Sequence, residues 1–359
     1  MDRPIDALFQ QSYQELLTAL GPLTQGGVVN LAAHIGATAV AALAAHSPLD
    51  LLLVVEPFPL TGAHVAQLQA LGYQPQPAAW SEAQFFQHQD GRRLYVHSWA
   101  DPAWNDHLLL RDYLRSHAPA RARYLAAKAG AVGSRDEHGW KATLLPELIQ
   151  EAHGWWIAHD NFATLHTLVA DLAAFPHPWY ISSGWALDLF LGEVTRHHED
   201  VDIIVDRQDQ LAVQQHMRDR QWQWLTPLDG KLEPWPPHMR LELPRHQAHA
   251  HRVHEHGEHE FLDFLFTDFA QGVWFYRREP SIVQSVTRMA LATADGLRYL
   301  APELVLLFKS RNTGTRDRSK DQLDFAHVLP ALEAHRRAWL RWALLVTNPE
   351  HPWLARLDR

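Results

Sequence analysis

Two aspartates one residue apart, Asp200 and Asp202, open the apolar run Val201-Asp-Ile-Ile-Val205. Side chains alternate along a β-strand, so both carboxylates project from one face while Val201 and Ile203 take the other. Held a few ångströms apart they repel, and one tends to take up a proton unless a cation offsets the charge. Oxygen-only ligands suit Mg2+ or Mn2+, and Mg2+ keeps waters and shares its shell with substrate phosphates. Asp263, in Glu260-Phe-Leu-Asp-Phe-Leu-Phe266, sits in a second strand-like run where Leu262 and Phe264 point the other way. Three carboxylates around one or two metals suit in-line phosphoryl or nucleotidyl transfer, in which metals clamp the attacking and leaving oxygens. Ser182-Ser183-Gly184, at the start of an apolar helix-like segment, supplies the complementary half: free N–H groups, hydroxyl donors and a glycine that admits a phosphate.

The elements that position these residues follow from the pattern around them. Trp179 to Ser183 reads as a short strand, and Gly184 opens a compact helix closed by Gly192. Before it, Leu145 to Ala174 is apolar at helical spacing until Phe175-Pro-His-Pro178 stops it, and from Pro302 onward the chain is mostly helical. In the first half, Leu49 to Val55 and Arg93 to His97 read as strands, and Arg111 to Lys128 as a helix interrupted near Pro119. The glycine-rich polar stretch Ala129 to Gly139 reads as a linker. This gives a module at 1–130, a linker at 131–140, a second module at 141–300 and a helical part at 301–359. A repeat is visible across the two modules. His34 to Val40 leads through an Ala-rich helix to Asp50, as Ser182-Ser-Gly184 leads through a helix to Asp200 and Asp202.

Composition narrows the class. The 359 residues carry 32 Lys plus Arg against 41 Asp plus Glu, a net charge of −9, which argues against general nucleic-acid binding through a basic field. No cysteine is present, so disulfides, thiolate nucleophiles and Cys-type metal sites are excluded. The opening residues lack a basic segment followed by an apolar one, and the most apolar stretch, Val28 to Ala45, is interrupted by Asn30, His34 and Gly36. Absence of cysteine and of a membrane span leads us to expect a cytoplasmic protein.

Gly184-Trp-Ala-Leu-Asp-Leu-Phe-Leu-Gly192 followed by Thr195-Arg-His-His-Glu-Asp200-Val-Asp202 resembles the polymerase-beta-like nucleotidyltransferases, in particular the aminoglycoside 2''-adenylyltransferase and lincosamide nucleotidyltransferase group. The resemblance runs over about 145–345, through Asp263 and Ala301 to Lys309, to Lys320-Asp-x-x-Asp-Phe325. It implies Mg2+ (or Mn2+) and a nucleoside triphosphate such as ATP on Asp200 and Asp202. Asp263 is implied as a further metal ligand or as the group that activates an acceptor hydroxyl. Ser183-Gly184 stands where that family has Gly-Gly or Gly-Ser. Residues 5–128 resemble the GrpB family through His34 to Val40, Asp50 and Trp104 to Leu114, but Ala37 replaces the usual serine and Leu52 replaces a second acid. The implied fold is α/β (α+β), with two tandem nucleotidyltransferase-like mixed-sheet modules and a C-terminal helical bundle. The first module reads as a catalytically degenerate copy that binds, packs or positions substrate.

Several residues have a bland reading beside the functional one. Arg196 is either a phosphate or base contact or one half of a surface ion pair. Lys309 and Lys320 reach the triphosphate or are solvated helix lysines. Asp188 falls on the polar face of its helix and is left outside the site. The histidines at 238, 246, 249, 251, 254, 256 and 259 read as a solvated loop or hairpin near the acceptor rather than a metal site, and Trp222, Trp224 and Trp235 as packing or acceptor-pocket walls. The favoured activity moves a nucleoside monophosphate from a triphosphate to a hydroxyl of a small-molecule acceptor. A non-catalytic nucleotide sensor and a transferase acting on a protein or tRNA stay open, as does the oligomeric state.

Overall fold

The computed structural model describes residues 5–25, 27–44, 47–77, 83–99, 101, 103–131, 139–198, 200–228, 231–253, 259–310 and 319–358. Its first elements are α1 (Ile5–Leu20), β1 (Val29–Ile35), β2 (Asp50–Val55), α2 (Gly62–Ala70), β3 (Tyr73–Gln76), β4 (Ala83–His88) and β5 (Arg93–Ser98). Helices α3 (Ala103–Ser116), α4 (Ala118–Ala131), α5 (Gly139–Asp160) and α6 (Ala163–Val169) follow. Next come β6 (Trp179–Ile181), α7 (Ser183–Leu191), β7 (Val201–Asp206), α8 (Gln210–Arg218), β8 (Gln223–Leu228), β9 (Lys231–Pro234), β10 (Gln247–Val253) and β11 (His259–Thr267). The remainder holds β12 (Phe269–Ala270), β13 (Val273–Phe275), β14 (Val283–Ser285), α9 (Val286–Met289), β15 (Ala290–Ala292) and β16 (Arg298–Leu300). Four helices close the chain: α10 (Pro302–Lys309), α11 (Ser319–Val328), α12 (Ala334–Thr347) and α13 (Leu354–Leu357).

Two compact units divide the chain. The first comprises Met1–His159, Trp224–Trp235 and His251–Glu260, the second Asp160–Gln223, Pro236–Ala250 and Phe261–Arg359. The expected linker falls largely on residues outside the described ones.

In the first unit a mixed sheet runs β1–β2–β5–β4–β3, with β2 and β5 parallel and the other pairs antiparallel. Every residue of β1 and β2 is buried, which requires both faces of the sheet to be covered. Leu51, Leu53 and Val96 pack with Leu16 of α1 and Leu68 of α2, whereas Leu31, Ile35, Leu52 and Val54 pack with Trp104 of α3. Helices α3, α4 and α5 join through Leu109, Tyr113, Tyr124 and Leu148.

The Ala-rich helix expected after His34 does not form. The residues described there make two three-residue 3-10 turns, Ala37–Ala39 and Ala41–Leu43. So short a segment cannot repay helix nucleation. Just before it, Arg111 of α3 donates to His34 O in β1 at 3.3 Å and Arg115 to Ala39 O at 2.9 Å.

In the second unit β15, β16, β6, β7, β11 and β10 lie side by side in that order. Strands β7 and β11 are parallel, β6 and β7 antiparallel. Val201, Ile203 and Val205 are fully buried, so β7 is anchored by its apolar alternation. Helix α10 packs on α7 and α12, and α11 packs on α7. Phe325 of α11 stacks on Trp353 at 4.1 Å between centroids. The fold class is therefore α/β with several mixed sheets, as expected. Among the described residues no helix is long and apolar enough to cross a membrane.

Burial lowers the pKa of His34 and of His107 to about 4, with Arg115 and His97 respectively adding to the shift. Each is held neutral in the fold, whereas the unfolded chain takes up its protons near pH 6.5, so stability falls as the pH drops from 6.5 to about 4. The limiting slope is about 1.4 kcal/mol per pH unit for each histidine. Urea unfolding of the first unit across this range is expected to show that loss, and His34→Gln combined with His107→Gln to flatten it.

Candidate active site

The centre of the site is a register. Asp202 of β7 lies directly beside Asp263 of β11 on adjacent parallel strands. Asp200 precedes β7 at its exposed mouth, Asp202 is half-buried, and Asp263 is buried at 6% exposure. Burial and the carboxylates of Asp202 and Asp200 push the Asp263 carboxyl well above the usual range. Asp202 is also raised by burial, against the pull of Ser183, Lys309, Lys320 and Arg196. The structure thus brings the three expected aspartates within electrostatic range of each other. Among the described residues no group of three or more His, Asp and Glu side chains is arranged as a ready-made metal cage. What the sheet offers is the adjacent pair Asp202 and Asp263, with Asp200 at the entrance, and phosphate oxygens and waters are the natural remaining ligands of Mg2+. Asp263 Oδ1 is buried without a hydrogen-bond partner, its polar neighbour being His249 Nδ1 at 3.5 Å.

The Ser183-Gly184 turn shows what each of its residues is needed for. The left-handed backbone falls on Ser183, with φ 52, and not on Gly184. Glycine is needed at 184 for space: a Cβ there would lie 2.4 Å from both Arg196 Nη2 and His198 Cε1. Ser183 stands as the first residue of α7, where the helix leaves its first N–H groups unused, and its hydroxyl hydrogen-bonds Asp202.

Arg196 and Lys309 stand beside the acids, and both are committed to Asp324. Arg196 Nε donates to Asp324 Oδ1 at 3.1 Å, and Lys309 Nζ lies 2.8 Å from Asp324 Oδ2 and 2.9 Å from Asp321 Oδ1. Burial opposes ionisation of Asp324, but Lys309 and Arg196 overcome it and hold the carboxyl below its ordinary value. Lys320 lies within electrostatic reach of Asp202.

Asp188 corrects the sequence reading. It is 1% exposed rather than on a solvated face. Its carboxylate accepts from His198 Nε2 at 2.6 Å, from Thr195 Oγ1 at 2.6 Å and from the Thr195 N–H at 3.1 Å. It fixes the irregular segment that delivers Asp200. A buried acid seven residues before Thr195 was the available signal, disguised because a carboxylate in a short helix usually faces water.

In the histidine-rich stretch the structure corrects the solvated reading at His249 and His251, while adjacent strands β10 and β11 agree with the hairpin alternative. Residues 247–253 form strand β10 beside β11, with His249 and His251 buried at 7% and 3%. His254 and His256, and the side chain of His259, lie outside the described residues. Gln247 Nε2 donates to Asp263 Oδ2 at 2.5 Å, and His249 Nδ1 lies 3.5 Å from Asp263 Oδ1. The alternation Gln247-Ala-His249-Ala-His251 carried this strand in plain view. Trp222, Trp224 and Trp235 are all buried at 3% or less, as packing residues.

Comparison with known proteins follows the same division. Residues 2–141 match the family model of the GrpB protein, and residues 164–227 that of aminoglycoside-2''-adenylyltransferase. The UPF0157 protein YqkA of Bacillus subtilis (strain 168) is 30% identical over 99 residues, which cover 26% of this chain and 29% of that protein. The chain therefore matches under a third of the length of this curated relative. Among solved structures, the conserved protein GrpB from Enterococcus faecalis is similar at 20% identity and TM-score 0.37, covering 42% of this chain and 93% of that one. The antibiotic-resistance factor ANT(2'')-Ia is similar at 16% identity and TM-score 0.35, covering 55% and 95%. The lincosamide antibiotic adenylyltransferase LnuA is similar at 18% identity and TM-score 0.34, covering 46% and 94%. One chain thus joins a GrpB-like segment to a nucleotidyltransferase-like segment.

Two substitutions separate stability from site chemistry. Asp263→Asn removes a buried carboxylate held against two others, and each pKa unit of such pressure corresponds to about 1.4 kcal/mol. The metal-free variant is expected to melt above the wild type at pH 7. Asp188→Ala strands His198 and Thr195 without their acceptor and is expected to cost about 3 kcal/mol in urea unfolding.

Proposed function

We propose that the second unit is a metal-dependent nucleotidyltransferase that moves a nucleoside monophosphate from a nucleoside triphosphate, ATP in the first instance, to a hydroxyl of a small-molecule acceptor. The observation that carries this reading is the adjacent pair Asp202 and Asp263, flanked by Asp200 and by the Ser183-Gly184 turn. Asp200 and Asp202 hold Mg2+ or Mn2+, with Asp263 as a third oxygen ligand or base. The metal supplies charge neutralisation for the phosphates and for the crowded carboxylates. Ser183 and the N–H groups at the start of α7 receive phosphate oxygens, while Gly184 keeps the turn close to Arg196 and His198. Arg196 and Lys309, oriented by Asp324, face the triphosphate as preset positive charges.

In the reaction the acceptor oxygen attacks the α-phosphorus, its proton passes to Asp263, and the bond to the bridging oxygen of the β-phosphate breaks to release pyrophosphate. Asp263 acts as base only when ionised. Offsetting the charge on Asp200 and Asp202 lowers the pressure that keeps it protonated. Gln247 holds Asp263 Oδ2, and Oδ1, beside His249, is the oxygen with a lone pair left for the proton. The match of residues 164–227 to the aminoglycoside-2''-adenylyltransferase model supports a small hydroxylated acceptor. A cytoplasmic location agrees with the cysteine-free composition and the need for ATP.

The test is incubation of purified protein with Mg2+ or Mn2+, each α-labelled nucleoside triphosphate and a metabolite extract. Labelled product and pyrophosphate are expected from the wild type and not from Asp200→Ala/Asp202→Ala. Asp263→Asn is expected to lower kcat by about 100- to 10,000-fold with triphosphate binding retained. Metal-dependent binding with no labelled product in any pool would move the chain to the sensor reading.

A further inference from the structure

A second polar cluster lies in the first unit, where β2 and β5 begin side by side. Asp50 stands in register with Arg93. Arg93 Nε donates to Asp50 Oδ1 at 2.5 Å and Nη2 to Oδ2 at 2.7 Å, with both side chains mostly buried. Gly36 closes the other side of the carboxylate, since a Cβ there would lie 2.2 Å from Asp50 Oδ2. The acid is thus engaged, and its pairing presets the guanidinium with Nη1 left over.

Among the described residues, the other charged groups that reach this place are cations, joined by two tyrosines. Tyr95 follows Arg93 on the same face of β5. Helix α4 presents Tyr124 and Lys128 one turn apart, and Lys128 Nζ lies 2.5 Å from Ser47 Oγ. The first turn of α5 brings Lys141 within electrostatic reach of Arg93, Asp50 and Lys128. Tyr124 packs edge-on against Trp140 at 5.0 Å, which ties the two helices together at this point. Both tyrosines lie within electrostatic reach of Asp50 and Arg93. Among the described residues no carboxylate pairs with Lys128 or Lys141, and no protein group hydrogen-bonds the hydroxyl of Tyr95 or Tyr124.

Among the described residues, three cations and one carboxylate leave two positive charges in excess, and Arg93 Nη1, the Lys141 ammonium and the two tyrosine hydroxyls keep donors to spare beside Lys128, which also donates to Ser47. A ligand that fits must be an acceptor with several oxygens and a charge near −2. We propose that Arg93, Lys128, Lys141, Tyr95 and Tyr124 form a binding site for a phosphate dianion, free or as the end of a phosphate monoester. Burial and the cations Arg93 and Lys128 hold the Lys141 ammonium below its ordinary value, a cost that a bound dianion relieves. The site takes no metal, because its single acid is already shared with Arg93. This inference is independent of nucleotidyl transfer in the second unit.

The test is calorimetric titration of inorganic phosphate, and separately of AMP, into the full chain carrying Asp200→Asn/Asp202→Asn in the presence of EDTA. Saturable phosphate binding is expected, weakened at least about tenfold by Lys128→Ala and by Lys141→Ala and unchanged by Lys231→Ala, an exposed lysine of the same unit. Both tested lysines are partly exposed, so circular dichroism and melting are expected to match the parent. AMP binding tighter than phosphate with the same lysine dependence would identify a nucleotide as the source, and equal binding would identify free phosphate. No saturable binding, or binding indifferent to Lys128 and Lys141, would overturn the proposal.

Discussion

The second unit depends on one constraint, the register of two parallel strands. With Asp202 beside Asp263, the sheet holds two carboxylates where burial and mutual repulsion make ionisation of both costly. That register is fixed from the opposite face, where Val201, Ile203, Leu262 and Phe264 are fully buried. A slip of one residue would turn the acids into the core and the apolar set to the surface, so hydrophobic alternation enforces the electrostatic strain. Carboxyls perturbed in this way cluster at functional sites.

Around the pair, two buried aspartates turn irregular backbone into fixed geometry. Asp188 holds Thr195 and His198, and Asp324 holds Arg196 and Lys309. Between them they tie the segment leading to Asp200 to helices α7, α10 and α11. Buried charges of this kind persist only when every partner is in place. Gly184 belongs to the same arrangement, because only the absence of a side chain lets Arg196 and His198 close over α7.

The two units apply one motif, a strand leading to a glycine turn and then an acid on a strand, to opposite electrostatic ends. In both, the acid is neighboured by a residue in register on a parallel strand. In the second unit that neighbour is Asp263, and the two carboxyls raise each other's resistance to ionisation. In the first it is Arg93, which neutralises Asp50 and leaves lysines and tyrosines in excess. A single residue type on the adjacent strand therefore decides whether the acid is neutralised or held under repulsion.

By itself the sequence determined the local elements: the strands carrying Asp50, Arg93, Asp202 and Asp263, and the helix from Ser183 to Gly192, all follow from alternation and glycine punctuation. It also marked Asp200, Asp202 and Asp263 as candidates, since residue type and spacing place side chains on strand faces. It did not determine which strands would be neighbours, and pairing is what brings Asp263 beside Asp202 and β10 beside β11. Gln247 and His249 were hidden for that reason, although their alternation was present. Asp188 and Asp324 were hidden because burial of a charge depends on partners 7 to 128 residues away. The Ala-rich helix expected after Val40 did not form either: local propensity proposed it, but the described part of the segment is too short to repay nucleation and makes a 3-10 turn. Local periodicity is written in neighbouring residues, whereas register, partner choice and the resulting charge balance arise only when distant segments pack.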